Sequence, residues 1–184
     1  MEKNKTRCFI AIDLPREVIK EVERVQEEIK KKNIFTGKFT EGENLHLTLK
    51  FLGEVSEGKI SEVRKKLSGV EMNEFEASLG SVGVFSPRFI KIIWVKILGK
   101  DIYELQKKID DVLSEVFRPE DRFMGHLTIA RVSHVKERKL FLEKLKKISV
   151  GKMNFKVDGF LLIKSELRPG GPVYSILKKY PLGI

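Results

Sequence analysis

The sequence predicts a bilobal α+β fold, with two pseudo-twofold-related antiparallel sheets, helices on their outer faces and a central cleft. Apolar residues alternate along some short segments, as in strands, and recur every three or four residues along others, as in helices. These segments repeat in one order: strand, long helix, strand with a His-x-Thr motif, second helix, further strand. His46 and His126 are 80 positions apart, as are Phe75 and Phe155. Such an internal repeat predicts two related lobes that face each other.

The first repeat covers residues 6–86 or thereabouts. Its opening strand is almost entirely apolar, and Pro15 after it suits the first turn of a helix. Apolar residues from Val18 to Ile29 then recur at helical spacing. Ser56 can cap a second helix. The predicted elements are strand 6–13, helix 15–32, strand 45–52, a helix after Ser56 that buries Ile60, Val63 and Leu67, and strand 74–85.

The second repeat covers residues 90–166 or thereabouts, and a C-terminal strand within 172–179 follows it. The turn between them, residues 168–172, is rich in proline and glycine. We predict that residues 1–184 form a single domain. The predicted elements are strand 91–98, helix 101–116, strand 125–132, helix 136–147, strands 152–157 and 160–166, and strand 173–178.

The charge of the chain bears on its partner. The 184 residues carry a formal net charge of +10 at pH 7. A surplus of this size favours a polyanion such as nucleic acid. Two alternatives remain open: lysines that serve solubility alone, and the Lys and Glu usage typical of proteins adapted to heat.

The sequence also predicts a compartment. No apolar run is long enough to cross a bilayer, and Asp13 and Arg16 interrupt the first apolar stretch too early for a secretory signal. Cys8 is the single cysteine, so an internal disulfide is impossible, and we expect it to be a buried strand residue. We therefore expect a cytoplasmic protein with no membrane partner.

The two His-x-Thr motifs are the main functional signal. In a strand, residues two apart share a face, so His46 and Thr48 point one way, as do His126 and Thr128. The intervening leucines face the core. If the lobes are related by a pseudo-twofold axis, both pairs converge on one cleft. Two histidines suit a base and an acid on opposite sides of a phosphorus, because the imidazole pKa lies near neutrality. The hydroxyls can donate to phosphate oxygens.

The histidines have other possible interpretations. A single histidine on a strand is more often structural, but here two of the three histidines occupy corresponding positions of a repeat. Zinc would need a third ligand at close spacing, whereas His134 and Cys8 stand alone. We therefore expect no metal and no cofactor.

The motifs also support a resemblance. His-Leu-Thr-Leu at 46–49, continuing into Lys-Phe-Leu-Gly-Glu, and His-Leu-Thr-Ile at 126–129 resemble the two-histidine phosphoesterase superfamily. Within it, the chain looks like the RNA 2′,3′-cyclic phosphodiesterases, historically named 2′-5′ RNA ligases. Its opening at 7–15 and its end at 165–174 are similar to that group, so the likeness spans nearly the whole chain. One departure is Gly125, where many members have proline.

The resemblance implies site roles. His46 corresponds to the general acid (proton donor) and His126 to the general base (proton acceptor), while Thr48 and Thr128 hold the phosphate. Arg131 matches an arginine that often follows the second motif. Strict alternation would point it away from the cleft, so it either reaches the cleft through a bulge or is structural. Tyr174 could stack on a base or contact phosphate, and it equally suits sheet packing.

Three functions remain open on sequence grounds. The first is hydrolysis of RNA 2′,3′-cyclic phosphate ends to 2′-phosphates. The second is a 2′-5′ RNA ligase that joins such an end to a 5′-hydroxyl, because the same acid and base serve both reactions. The third is a non-catalytic RNA-binding protein. The expected partner is RNA with a 2′,3′-cyclic phosphate end, with tRNA fragments among the candidates, and a monomer is expected.

Overall fold

The computed structural model describes residues 5–183. The strands form one curled antiparallel sheet, and the α+β prediction is confirmed. In chain order the strands are β1 (Lys5–Ile12), β2 (Thr36–Phe39), β3 (Leu47–Ser56), β4 (Phe75–Val84), β5 (Ile92–Leu98), β6 (His126–His134), β7 (Asn154–Val157), β8 (Gly159–Arg168) and β9 (Gly171–Pro181).

The helices cover the face of the sheet that lies opposite the cleft. Each buries an apolar stripe, and for the first of them the stripe runs from Val18 to Ile29, as the spacing predicted. Within the described residues, no helix is long and apolar enough to span a membrane. The helices are α1 (Arg16–Lys31), α2 (Glu57–Leu67), α3 (Lys100–Leu113) and α4 (Arg138–Lys146), with a 3₁₀ helix at Gly42–Asn44 before β3.

The sheet has two halves that meet at a single point. One half has the strand order β7-β4-β5-β6 and the other β3-β1-β8-β9. The short strand β2 pairs with β6 along the edge that does not pair with β5. The halves join where Leu47 of β3 lies opposite Leu127 of β6. These are the middle residues of the two His-x-Thr motifs. The predicted two sheets are thus continuous through one residue pair, and this pair sets the motif strands side by side.

The two halves of the sheet are not the two sequence repeats, which corrects the expectation that 6–86 and 90–166 form one lobe each. β4 belongs to the first repeat but pairs with β5 and β7. β8 belongs to the second repeat but pairs with β1. The physical reason is that strands close in sequence, such as β4 and β5, tend to pair as antiparallel neighbours. Each repeat therefore contributes strands to both halves.

A β-bulge interrupts β3 directly after its motif. Ala11 of β1 lies opposite Thr48 and Ile10 lies opposite Lys50, so Leu49 has no partner on β1. Both Leu49 and Lys50 are buried. An extra residue in one strand turns two consecutive side chains to one face and reverses the alternation beyond it.

A second bulge interrupts β6 at the equivalent point. Trp94 of β5 lies opposite Thr128 and Ile93 lies opposite Ala130, so Ile129 has no partner on β5. Ile129 and Ala130 are both completely buried. The repeat in the sequence is thus reproduced down to the position of a backbone irregularity.

The core lies between the helices and the sheet. Along β1, Cys8, Ile10 and Ile12 point into it, and Cys8 is buried as predicted. Phe9 and Ala11 point to the opposite face, where they form a small second cluster on the cleft side. This alternation leaves one face of the sheet free for polar groups and fixes which residues can reach the cleft.

Candidate active site

A cleft of about 530 Å³ opens between the two halves of the sheet. Its walls come from β1, β3, β5, β6, β8 and β9 and from the segments that precede β3 and β5. All the site residues expected from the sequence line this one cleft: His46, Thr48, His126, Thr128, Arg131 and Tyr174. The third histidine, His134, is exposed at the end of β6 and is not among the lining residues.

Backbone carbonyls hold the two histidine rings in the same way. The His46 Nδ1–H donates to the carbonyl oxygen of Asn44 at 2.8 Å. The His126 Nδ1–H donates to the carbonyl oxygen of Met124 at 2.7 Å. A carbonyl can only accept, so each ring carries its proton on Nδ1 when neutral and leaves Nε2 for the cleft. The neutral form of either ring can therefore accept a proton through Nε2, and the charged form can donate one.

Aromatic rings pack against both imidazoles. The His46 ring lies 4.7 Å from the ring of Phe9 and 5.2 Å, edge to face, from that of Tyr174. The His126 ring lies 4.9 Å from that of Phe85, also edge to face. These contacts restrict the rotation of the rings and remove part of their surface from water.

Burial lowers the pKa of both histidines. For His126 desolvation is the main cause, and the hydrogen bond to Met124 partly opposes it. For His46 desolvation also dominates the lowered pKa, the Asn44 carbonyl and the Asp13 charge oppose it, and the charge of His126 lowers it further. The last influence acts in the same direction as burial, so a charged His126 favours the neutral form of His46.

The bulge in β6 resolves the position of Arg131. Strict alternation would have placed this side chain on the core face, but the extra residue Ile129 reverses the phase. Arg131 is exposed and lines the cleft, on the same side as His126 and Thr128. Its positive charge acts against the raised pKa that burial gives to Tyr174, which belongs to the other half of the sheet. Both side chains line the same cleft.

Tyr174 both packs against neighbouring rings and lines the cleft. Its ring packs on Phe9 at 5.1 Å and on His46, which agrees with sheet packing. The same residue also lines the cleft.

Sequence reasoning missed two phenylalanines of the wall, Phe51 and Phe85. Phe51 is 69% exposed and Phe85 is 53% exposed, yet both line the cleft. Phe51 stands 80 positions before Arg131, at the same step after the bulge, so the repeat could have identified it. Arg7 of β1 is also present in the wall. At these equivalent positions, one half of the sheet carries the Arg131 guanidinium and the other carries the Phe51 phenyl ring.

The arrangement suits acid-base chemistry on an anion. Two imidazoles, two guanidiniums and the hydroxyl-bearing side chains of both motif threonines surround a space of molecular size. Between Lys5 and Gly183, no group of three or more His, Cys, Asp or Glu side chains lies close enough together to hold a metal ion.

The family model described as LigT like Phosphoesterase matches residues 12–94 and again residues 95–174, once on each repeat. An RNA 2′,3′-cyclic phosphodiesterase of Methanothermobacter thermautotrophicus is 37% identical over 188 residues, which cover 97% of this chain and 100% of that protein. One from Methanocaldococcus jannaschii is 35% identical over 179 residues, covering 95% of this chain and 99% of that protein.

Two solved structures are similar to this chain. TT0787 of Thermus thermophilus has a TM-score of 0.79 at 26% identity and covers 95% of this chain and 97% of its own. Escherichia coli LigT in its apo form also has a TM-score of 0.79, at 22% identity, with coverage of 99% and 100%, and shares the fold. From the family match, the relatives and the paired motif strands, the chain belongs to the LigT-like phosphoesterases.

Proposed function

We propose that this protein hydrolyses the 2′,3′-cyclic phosphate at the end of an RNA and leaves a 2′-phosphate and a free 3′-hydroxyl. The observation that supports the proposal most is that both motif histidines line one cleft with Nδ1 held by a carbonyl. Relatives that match nearly the full length are RNA 2′,3′-cyclic phosphodiesterases. The net charge of +10 suits an RNA partner.

In the proposed reaction His126 acts as the base and His46 as the acid. Neutral His126 removes a proton from water while the water oxygen attacks phosphorus. The P–O3′ bond breaks, and the His46 imidazolium gives its proton to the departing O3′. His126 has then gained a proton and His46 has lost one. Loss of a proton from His126 to solvent and gain of one by His46 from solvent restore the starting states of both rings. In-line displacement requires the two rings on opposite sides of phosphorus, which agrees with their places in different halves of the sheet, directly before β3 and at the start of β6.

Other cleft residues can stabilise the negative charge of the phosphate. Thr48 and Thr128 each follow a histidine by two residues on the same face, so their hydroxyls can donate to the non-bridging oxygens as charge builds on them. The Arg131 guanidinium supplies a permanent positive charge for the same phosphate or its neighbour. Tyr174 restricts His46 and offers its hydroxyl to the cleft. Side chains alone supply every group in this scheme.

Ligation remains the second candidate, because the 5′-hydroxyl of another RNA can replace water as the nucleophile. The same base would activate it and the same acid would protonate O3′. A binding protein without catalysis would not require both histidines and both threonines to line one cleft.

Product analysis tests these alternatives. An RNA with a 2′,3′-cyclic phosphate end is incubated with the protein, with and without an RNA that bears a 5′-hydroxyl. Hydrolysis predicts a 2′-phosphate end in both mixtures. A joined 2′-5′ product that replaces the 2′-phosphate would favour the ligase. An unchanged cyclic end would contradict catalysis and leave an RNA-binding protein.

A further inference from the structure

The buried polar side chains of residues 5–183 all lie beneath the two bulges. There are four of them: Gln26, Lys50, Gln106 and Asp110. Each lies in a helix under the sheet or in a motif strand. Burying polar groups is costly unless they are hydrogen-bonded, so their confinement to this one place in the fold requires a reason.

Gln26 of α1 supports the bulge in β6. Its Nε2 donates to the carbonyl oxygen of Ile129 at 2.8 Å and to that of Thr40 at 2.8 Å. The backbone N–H of Thr40 donates to the same Ile129 oxygen at 2.9 Å. The bulge removes Ile129 from its ladder with β5, and these two donors satisfy its carbonyl instead. Ile129 directly follows Thr128, so the support reaches the motif itself.

Lys50 supports the bulge in β3 through a buried ion pair. Its Nζ, on a side chain that is 2% exposed, lies 2.5 Å from Oδ1 of Asp110 on α3. The same Nζ donates to the carbonyl oxygen of Arg118 at 2.6 Å. Oδ2 of Asp110 accepts from Gln106 Nε2 at 2.6 Å and from the backbone N–H of Glu120 at 2.8 Å.

The two supports are equivalent in the repeat. Gln106 stands 80 positions after Gln26, and Glu120 stands 80 positions after Thr40, the offset that separates the two histidines. In both cases the helix of one repeat holds the motif strand of the other: α1 holds β6, and α3 holds β3. In the first support, the Gln26 amide contacts the bulge directly. In the second, Gln106 instead contacts Asp110, which pairs with Lys50 at the bulge. The position equivalent to Lys50 in the other motif strand is alanine, Ala130.

We propose that Lys50, Asp110 and Gln106 are positioning residues that fix the distance between the two histidines. Lys50 follows Thr48 by two residues, and its partners Arg118 and Glu120 lie in the segment that leads into β6 and His126. One buried cluster therefore ties the strand of the acid to the approach of the base. Two groups that act on a single phosphorus tolerate little displacement, because small errors in placement cost large factors in rate.

The ionic character of this cluster supports a geometric role. Replacing a buried ion pair by neutral side chains of similar volume often leaves stability unchanged or improves it. Stability alone therefore gives little reason for Lys50 and Asp110 to be charged. A directional cluster of four hydrogen bonds fixes distances that apolar packing would leave adjustable.

The inference rests on the proposed function and is tested on the full chain with the double variant Lys50→Met, Asp110→Asn. Both charges are removed together because a single removal would leave one buried charge unpaired. We expect kcat on cyclic-phosphate RNA to fall at least about tenfold. The Kd for an RNA with a 2′-phosphate end should stay within about threefold of the wild type, because the cleft groups that bind phosphate remain.

A matched control removes an exposed ion pair nearby. Lys66 of α2 and Glu115 after α3 lie 2.5 Å apart at the surface. The variant Lys66→Met, Glu115→Gln should keep the wild-type kcat. If the buried double variant fails to fold, Gln106→Met decides the question, since it keeps the ion pair and removes one donor to Asp110. In this variant kcat should fall about threefold, while the Kd for the product RNA should stay at the wild-type value.

Two results would overturn the inference: a buried double variant that is folded and keeps the wild-type kcat, or a parallel loss of kcat and product affinity, which a merely structural role would produce. His46→Ala is measured in the same assay. If the wild type turns over RNA and His46→Ala does not, the proposed function stands whatever the double variant does. A wild type without turnover would overturn the proposed function and this inference with it.

Discussion

His46 and His126 are held by the same contact, a hydrogen bond from Nδ1–H to the carbonyl oxygen of the residue two positions earlier. The distances are 2.8 Å to Asn44 and 2.7 Å to Met124. The two motif strands also meet at equivalent residues, Leu47 and Leu127. The shared contact therefore agrees with a pseudo-twofold relation between the repeats. The same contact leaves Nε2 of each ring without the Nδ1 proton, so the proposed chemistry distinguishes the two rings by their protonation state.

The motif threonines should contribute to the rate through their hydroxyls. Thr48→Val and Thr128→Val keep the shape of the side chain and remove the donor. Each should cost about 1–3 kcal/mol of transition-state stabilisation, the value of a hydrogen bond to a charged group. Steady-state measurement of kcat/KM on cyclic-phosphate RNA checks this. Thr36→Val on the exposed strand β2 is the matched control and should have no effect. Equal activity of all three variants would exclude a phosphate contact by either hydroxyl.

The pH optimum should lie on the acid side of neutrality. Burial lowers the pKa of both His46 and His126 below the ordinary value of 6.5. Catalysis needs one ring neutral and the other charged, so kcat/KM should follow a bell whose two limbs report the pKa values of the two rings in the free enzyme. As pH rises through them the acid loses its proton and the rate falls. A profile recorded from pH 4 to 9 with its maximum above pH 7 would contradict this.

Arg131 should act on binding. Arg131→Gln removes one cleft charge, so KM should rise and the dependence of log Kd on log salt should lose about one unit of slope. Arg138→Gln makes the same charge change at the exposed start of α4 and should alter neither quantity. Binding isotherms at several salt concentrations measure both effects. An unchanged slope in Arg131→Gln would remove the guanidinium from the RNA contact.

Tyr174 should act mainly through its ring. The ring packs edge to face on His46 at 5.2 Å and on Phe9 at 5.1 Å. Tyr174→Phe keeps both contacts and should retain most of kcat, whereas Tyr174→Ala frees the imidazole and should lower kcat by about tenfold or more. Comparison of the two variants in one kinetic series separates ring from hydroxyl. A large loss in Tyr174→Phe would instead assign the hydroxyl a contact with phosphate.

Much of the fold could be predicted from local patterns. The helices from α1 to α4 and the strands with clear alternation were predicted because each buries one apolar face. β2 was missed. Its four residues, Thr36–Phe39, include glycine and lysine and are mostly exposed, and the strand exists because β6 offers a partner edge. Such a pairing between distant segments leaves no periodic signal in the segment itself.

The site was predictable up to the bulges. The repeat placed His46 and His126 on one cleft, but period-two alternation gave the wrong face for the residues directly after each bulge, among them Phe51 and Arg131. This is why the position of Arg131 stayed open and why Phe51 was overlooked. A bulge depends on hydrogen bonds to distant groups, here Thr40 and Gln26, which the sequence does not identify as neighbours.

The most direct test of the account compares His46→Ala and His126→Ala with His134→Ala as the matched control. His134 is the third histidine and lies outside the cleft lining. Turnover of cyclic-phosphate RNA is measured in EDTA, with folding checked by circular dichroism and affinity by RNA binding. The account predicts a loss of about 10²–10⁴ in kcat for each cleft variant, the usual contribution of a general acid or base, and none for His134→Ala. Full activity of either cleft variant in EDTA would contradict it.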